Sequence, residues 1–134
     1  MITKIKISHI LLIDDESLML STLEKALIME GFKVTTFLSA EKAMEYLVVS
    51  PRNNSLFPDL IIVDYVLEGM SGLSFIGEVK KYFEKIRVIL MSGHMDKLSQ
   101  TKAEATDIDM FMSKPISIAE LLQSIGELEG IFKK

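Results

Sequence analysis

Three short apolar runs, each ending on a polar side chain, constrain this chain more than any other feature: "HILLID" at 9–14, "DLIIVD" at 59–64 and "IRVILMSG" at 86–93. They are too short for buried helices and apolar throughout rather than at alternate positions, so they read as strands covered on both faces. Helical spacing follows each run. From about Ser17, residues Leu20, Leu23, Ala26 and Leu27 share one face, and Gly31 offers a left-handed stop. Ser39 can cap a second helix with the stripe Ala40, Ala43, Met44, Leu47 and Val48. After a turn containing Gly69 and Gly72, Leu73, Ile76, Val79 and Phe83 mark a third. Met95 to Thr106 is helical by propensity but poor in large apolar residues, Leu98 apart. Ile118, Leu121, Leu122, Ile125 and Leu128 form a closing helix. "FKVTTF" at 32–37 alternates like a strand near an edge, and "DMFMSKP" at 109–115 reads as a short strand.

Strand and helix thus alternate five times. Parallel neighbours need right-handed crossovers, which put helices on both faces of one sheet. The expected fold is α/β, a doubly wound flavodoxin-like (βα)5 sandwich with a five-stranded parallel sheet in the order 2-1-3-4-5. At 134 residues, 49% of them hydrophobic, the chain suits one core, and residues 1–134 are expected to form a single domain with no effector domain attached. No apolar run approaches the ~20 residues of a membrane span. The N-terminus lacks the apolar stretch of a signal peptide, and zero cysteines fit a reducing compartment, so a cytoplasmic location without membrane insertion is expected. The net charge of −4, with no basic cluster, argues against nucleic acid as a direct partner and favours cations and basic protein surfaces.

In sheets of this kind ligands sit beyond the carboxyl ends of the strands, at the switch point between the first and third. Those ends deliver Asp14 and Asp15, then Asp64, Ser92 and Lys114. Two carboxylates ~5 Å apart repel by roughly 3 kcal/mol at an effective dielectric of about 20, so three such pairs cost roughly 10 kcal/mol. That rivals the ~5–15 kcal/mol that holds a domain together. Lys114 offsets part of it, and a divalent cation offsets more. Removing Asp14 or Asp15 is accordingly expected to stabilise the metal-free fold and weaken metal binding. Oxygen donors without cysteine or a well-placed histidine select a hard ion such as Mg²⁺. A metal, a lysine and a hydroxyl around one carboxylate suit phosphoryl transfer, with Asp64 as nucleophile.

With "DD" at 14–15, "D" at 64, "SG" at 92–93 and "KP" at 114–115 each closing the matching strand, the chain resembles the receiver domain of two-component response regulators, the CheY-like family, from about Ser8 to Ile131. The resemblance implies that Asp64 accepts a phosphoryl group from a histidine kinase or histidine phosphotransfer protein. It implies that Asp15 and Asp64 ligate Mg²⁺ directly, that Asp14 acts largely through water, and that the backbone carbonyl of Val66 is a third protein ligand. Lys114 would pair with the phosphoryl group and Ser92 would hydrogen-bond to it. Phe111, three before the lysine, matches the switch aromatic, and Lys114–Pro115 would be a cis peptide. Modification would draw the Ser92 hydroxyl inward, let the Phe111 ring turn, and repack a face made of the fourth helix, fifth strand and fifth helix for a downstream protein target. Such a protein is a signalling module that catalyses only its own modification and its reversal, as a monomer or a phosphorylation-dependent dimer. The resemblance leaves open whether the chain is free-standing or part of a longer protein.

The chain departs from the family at Glu68, where a proline usually stands four residues after the phosphoacceptor, and Gly69 follows. Taken singly, each site residue has an ordinary reading. Asp14 and Asp15 could serve a helix start, Asp64 and Ser92 could merely end strands, and Lys114 could be solvated in a turn. His9 and His94 read as surface or loop histidines, Phe111 as core, and the methionines as core filler. The alternative function is a phosphorylation-independent scaffold, disfavoured because every functional position is filled. A flavodoxin would need a Ser/Thr/Gly-rich phosphate loop where "DDES" stands, and a haloacid-dehalogenase-type phosphatase a second acid where "DYV" has Val66.

Overall fold

The computed structural model describes residues 6–50, 57–93 and 108–130. The apolar runs form β1 (His9–Ile13), β3 (Leu60–Asp64) and β4 (Arg87–Ser92), with β2 (Lys33–Phe37) and β5 (Met110–Ser113) outside them. The sheet is parallel throughout, in the order β2-β1-β3-β4-β5. Every residue of β1 and β3 is buried, whereas β2, on the edge, is partly exposed along its length. The continuous and alternating patterns in the sequence thus report position in the sheet.

Alternate strand residues feed two cores. Leu11, Ile13, Ile61, Val63, Val88 and Leu90 pack against α2 (Ala40–Val49) and α3 (Gly72–Tyr82) through Ala43, Leu47, Phe75, Ile76 and Val79. On the other face Ile10, Leu12, Leu60, Ile62, Ile89 and Met91 pack against α1 (Ser17–Met29) and α4 (Ile118–Leu128) through Leu20, Leu23, Leu27, Leu121 and Ile125. Burying one Leu or Ile side chain is worth about 1.5–3 kcal/mol, so each face is held by many independent contributions. Ser39, Ser71 and Ser117 cap α2, α3 and α4 through their hydroxyls. Gly31 ends α1 at φ +101°, as its position required.

Some expectations need correction. His9 is fully buried rather than on the surface: its Nε2 lies 2.7 Å from the Thr35 hydroxyl, and its ring meets Tyr46 edge-on. Thr35 and Tyr46 give the imidazole polar and aromatic neighbours, which makes a strand interior tolerable. Val48 is exposed, because Tyr46 rather than Val48 turns toward the sheet flank. On α3 the fully buried aromatic is Phe75, with Leu73 only partly covered. Met91 and Met112 are core, but Met29 is solvent-facing. The helix expected between Met95 and Thr106, Leu98 and His94 lie outside the described residues. No helix among the described residues is long and apolar enough to cross a membrane.

Candidate phosphoryl and metal site

The carboxyl ends of β1, β3, β4 and β5 bring the predicted polar residues to one edge. Asp14 follows β1 directly and is fully buried, and its Oδ1 accepts from the Glu16 amide at 2.9 Å. Asp64 ends β3 with a nearly buried side chain, and Asp15 is exposed beside them. Carboxylate oxygens of Asp14, Asp15 and Asp64 all lie within 4.8 Å of one another. Glu68, where the family usually has a proline, is exposed and not among them, and Gly69 after it takes a positive φ of +82°.

Lys114 enters from the end of β5, where its amide donates to the Ser92 carbonyl at 2.9 Å. Its Nζ lies 2.8 Å from Asp64 Oδ2, 2.9 Å from Asp14 Oδ2 and 3.0 Å from Glu16 Oε1. The contact to Asp14 is a close ion pair off the hydrogen-bond direction. Burial by itself lowers the Lys114 pKa, but the polar contacts with the Asp64, Asp14 and Glu16 carboxylates reverse that and carry it above the ordinary lysine range. Burial raises the Asp64 carboxyl above its usual value; the Lys114 hydrogen bond pulls the other way, and the Asp14 charge adds to the rise. The Lys114–Pro115 peptide is cis, as the resemblance implied.

Ser92, at the end of β4 and one strand along from Asp64, is buried and pairs in register with Ser113 on β5. Phe111 is half-buried against the α2/α3 side of the core beside Ile108. The Val66 side chain is exposed and its amide reaches Asp64 Oδ1 at 3.4 Å. The acids, Lys114 and Ser92 therefore gather at neighbouring strand ends, while Phe111 stands one layer inside.

Glu16 and Gly72 were not anticipated as site residues. Glu16 was visible only as the third acid of a run, and nothing in the spacing reveals that it reaches across to residue 114. Gly72 begins α3 with its amide donating to the Tyr65 carbonyl at 3.0 Å. A Cβ there would stand 2.2 Å from the Asp64 carbonyl oxygen. Backbone cannot yield as a flexible side chain can, so Gly72→Ala is expected to cost about 1–3 kcal/mol and to displace Asp64. Urea unfolding measures this, and a change within about 0.5 kcal/mol of the parent, ordinary for a surface position, would refute the close-packing account.

A cavity of about 570 Å³ lies against Phe57, Tyr82, Phe83 and Arg87, and none of Asp14, Asp15, Asp64, Ser92 or Lys114 lines it. Volume alone does not mark the chemistry here.

Comparison with known proteins agrees with the geometry. The family model for the response regulator receiver domain matches residues 10–126. Two-component response regulator ARR16 of Arabidopsis thaliana is 31% identical over 84% of this chain and 75% of its own length. Transcriptional regulatory protein GlrR of Escherichia coli is 30% identical over 91% of this chain, which spans only 26% of that protein. Among solved structures, a CheY-like receiver domain protein of Methanospirillum hungatei superposes with a TM-score of 0.82 at 22% identity, covering 92% of this chain and 94% of its own. A receiver domain from Clostridium thermocellum gives 0.79 at 27%, covering 90% and 92%. With its strand order, its acidic cleft and its lysine at the expected strand ends, the chain belongs to the response regulator receiver domain family.

Proposed function

We propose that Asp64 is a phosphoacceptor and that this chain receives a phosphoryl group from a histidine kinase or histidine phosphotransfer protein. The observation that carries this reading is the Lys114 ammonium held 2.8 Å from Asp64 beside a cluster of three carboxylates. Four acids around one lysine leave a surplus of negative charge that structural packing alone does not require.

The donor set fits magnesium. Asp14, Asp15 and Asp64 offer hard oxygens within 4.8 Å of one another, with no sulfur or imidazole among them. When bound, Mg²⁺ would neutralise charge on the incoming phosphoryl oxygens. Asp15 and Asp64 would hold it directly and Asp14 largely through water, with the Val66 carbonyl as the remaining protein ligand.

The chain's own groups do the rest. An Asp64 carboxylate oxygen attacks phosphorus, an O–P bond forms, and the donor's P–N bond breaks with its electron pair leaving on the imidazole. Lys114 donates to a phosphoryl oxygen, and Ser92 donates to another. Ser92 lies in a strand whose neighbour carries Phe111, so movement of the hydroxyl opens room for the half-buried ring to turn. The face around β5 and α4 would then change its packing and its fit to a downstream protein. The chain is read as a signalling module rather than an enzyme acting on other substrates.

Incubation with acetyl phosphate tests the core of this. Intact-protein mass should show one added phosphoryl group with Mg²⁺ and none with excess EDTA. Uptake that ignores metal would overturn the proposed acidic metal site.

A further inference from the structure

Glu16 stands immediately before α1 with the extended backbone of a helix cap, φ −92° and ψ 100°, yet its side chain makes no capping hydrogen bond. An acid in that place ordinarily serves the free amides of the first turn. Here the carboxylate instead accepts from Lys114 Nζ at 3.0 Å, across 98 residues of sequence. The helix start forgoes its cap so that Glu16 can reach the lysine.

An ammonium has three N–H bonds. Around Lys114 stand three carboxylates, of Asp64, Asp14 and Glu16, all within 3.0 Å. Asp64 and Glu16 each accept one N–H, while Asp14 closes the remaining side as an ion pair, so a further anion can reach the ammonium only if one of the three gives way. Asp14 and Asp64 have side chains 1% and 8% exposed, and abandoning either would strand a buried charge. The Glu16 side chain is 64% exposed, and water replaces the lysine there at little cost.

We propose that Glu16 is a competitive latch on Lys114: it takes one N–H of the unmodified site and surrenders it to a phosphoryl oxygen when Asp64 is modified. The latch rests on the phosphoacceptor reading of Asp64. Glu16 is a positioning residue, acting through Lys114, and it sets how readily the site accepts an anion. Once released, its carboxylate is free to swing back toward the unpaired amides of α1.

Beryllofluoride with Mg²⁺, a reversible mimic of the phosphoryl group on a carboxylate, reads the competition directly. Its affinity should be compared in the parent, Glu16→Gln and Glu16→Asp. Glu16→Gln removes the charge. Glu16→Asp keeps the charge but shortens the reach by one methylene and favours the helix cap. The latch expects both variants to bind about two- to fivefold more tightly than the parent, the range an exposed ion pair supports. Tightening in Glu16→Gln alone would mean that only charge matters, and would overturn the latch. Equal affinity in all three would also overturn it. A parent that binds no beryllofluoride at all would instead bring down the phosphoacceptor reading, and the latch with it. Circular-dichroism melting of the three proteins separates a stability change from the change in affinity.

Discussion

Asp64→Asn is expected to take up no detectable phosphoryl group from acetyl phosphate and Mg²⁺ under conditions that modify the parent. The amide keeps the size of the carboxylate and can still accept a hydrogen bond from Lys114, so the pocket should retain its shape. It loses the anionic oxygen that would attack phosphorus. Its stability should move the other way. Burial, with the Asp14 charge, raises the Asp64 carboxyl above its ordinary 3.8 even against the pull of Lys114, so the folded protein prefers it neutral. A group with a raised folded pKa contributes stability below its unfolded pKa and loses it as pH rises through the folded value. At neutral pH the ionised Asp64 is therefore a net cost, which the amide removes. Metal-free Asp64→Asn should melt above the parent at pH 7, and the difference should close as the pH falls below about 4, near the unfolded carboxyl's own pKa. Modification that persists in this variant would move the phosphoacceptor to another acid of the cluster. A variant that melts below the parent at pH 7 would contradict the electrostatic account.

The parts of this fold legible in the sequence are those dictated by periodicity and by strand ends. β1, β3 and β4 are apolar at every interior position because helices cover both their faces, and few arrangements besides a doubly covered strand produce that pattern. Asp14, Asp64 and Lys114 were legible because a parallel sheet aligns the carboxyl ends of its strands, turning positions far apart in sequence into neighbours. Contacts that depend on side-chain reach were not legible. His9 looked like a surface residue because its Thr35 partner lies on another strand, 26 residues away. Glu16 looked like one more acid at a helix start, since only the three-dimensional site shows it turned away from α1. Gly72 looked like a turn glycine; its necessity comes from the Asp64 carbonyl packed against it. The crowding of the carboxylates is also uneven. Treating Asp14 and Asp15 alike ignores that Asp14 is buried, bonded to the Glu16 amide and paired with Lys114, while Asp15 is exposed. Removing Asp15 relieves repulsion at little structural cost, whereas removing Asp14 also breaks contacts that hold the start of α1.

The same asymmetry makes Lys114 the most consequential residue for the stability of the metal-free protein. Lys114→Met should destabilise it by about 2–4 kcal/mol, somewhat less than the cost of orphaning a fully buried ion pair because the lysine retains some exposure to water. Methionine fills much of the same volume, so the loss reflects charge rather than a cavity. Without the ammonium, Asp14 and Asp64 face each other and Asp15 with no cation between them. Added Mg²⁺ should then recover more stability in Lys114→Met than in the parent, because an ion that binds only the folded site stabilises it by mass action and here meets a greater excess of negative charge. Urea unfolding with and without millimolar Mg²⁺ measures both effects. Equal stability of parent and variant in EDTA would mean that solvent, not Lys114, screens the acids. If the loss appears and Mg²⁺ restores part of it, ammonium and metal are alternative answers to one surplus of charge. The lysine would then be free to follow a phosphoryl oxygen only once the metal has taken over its electrostatic task, which orders metal binding before transfer.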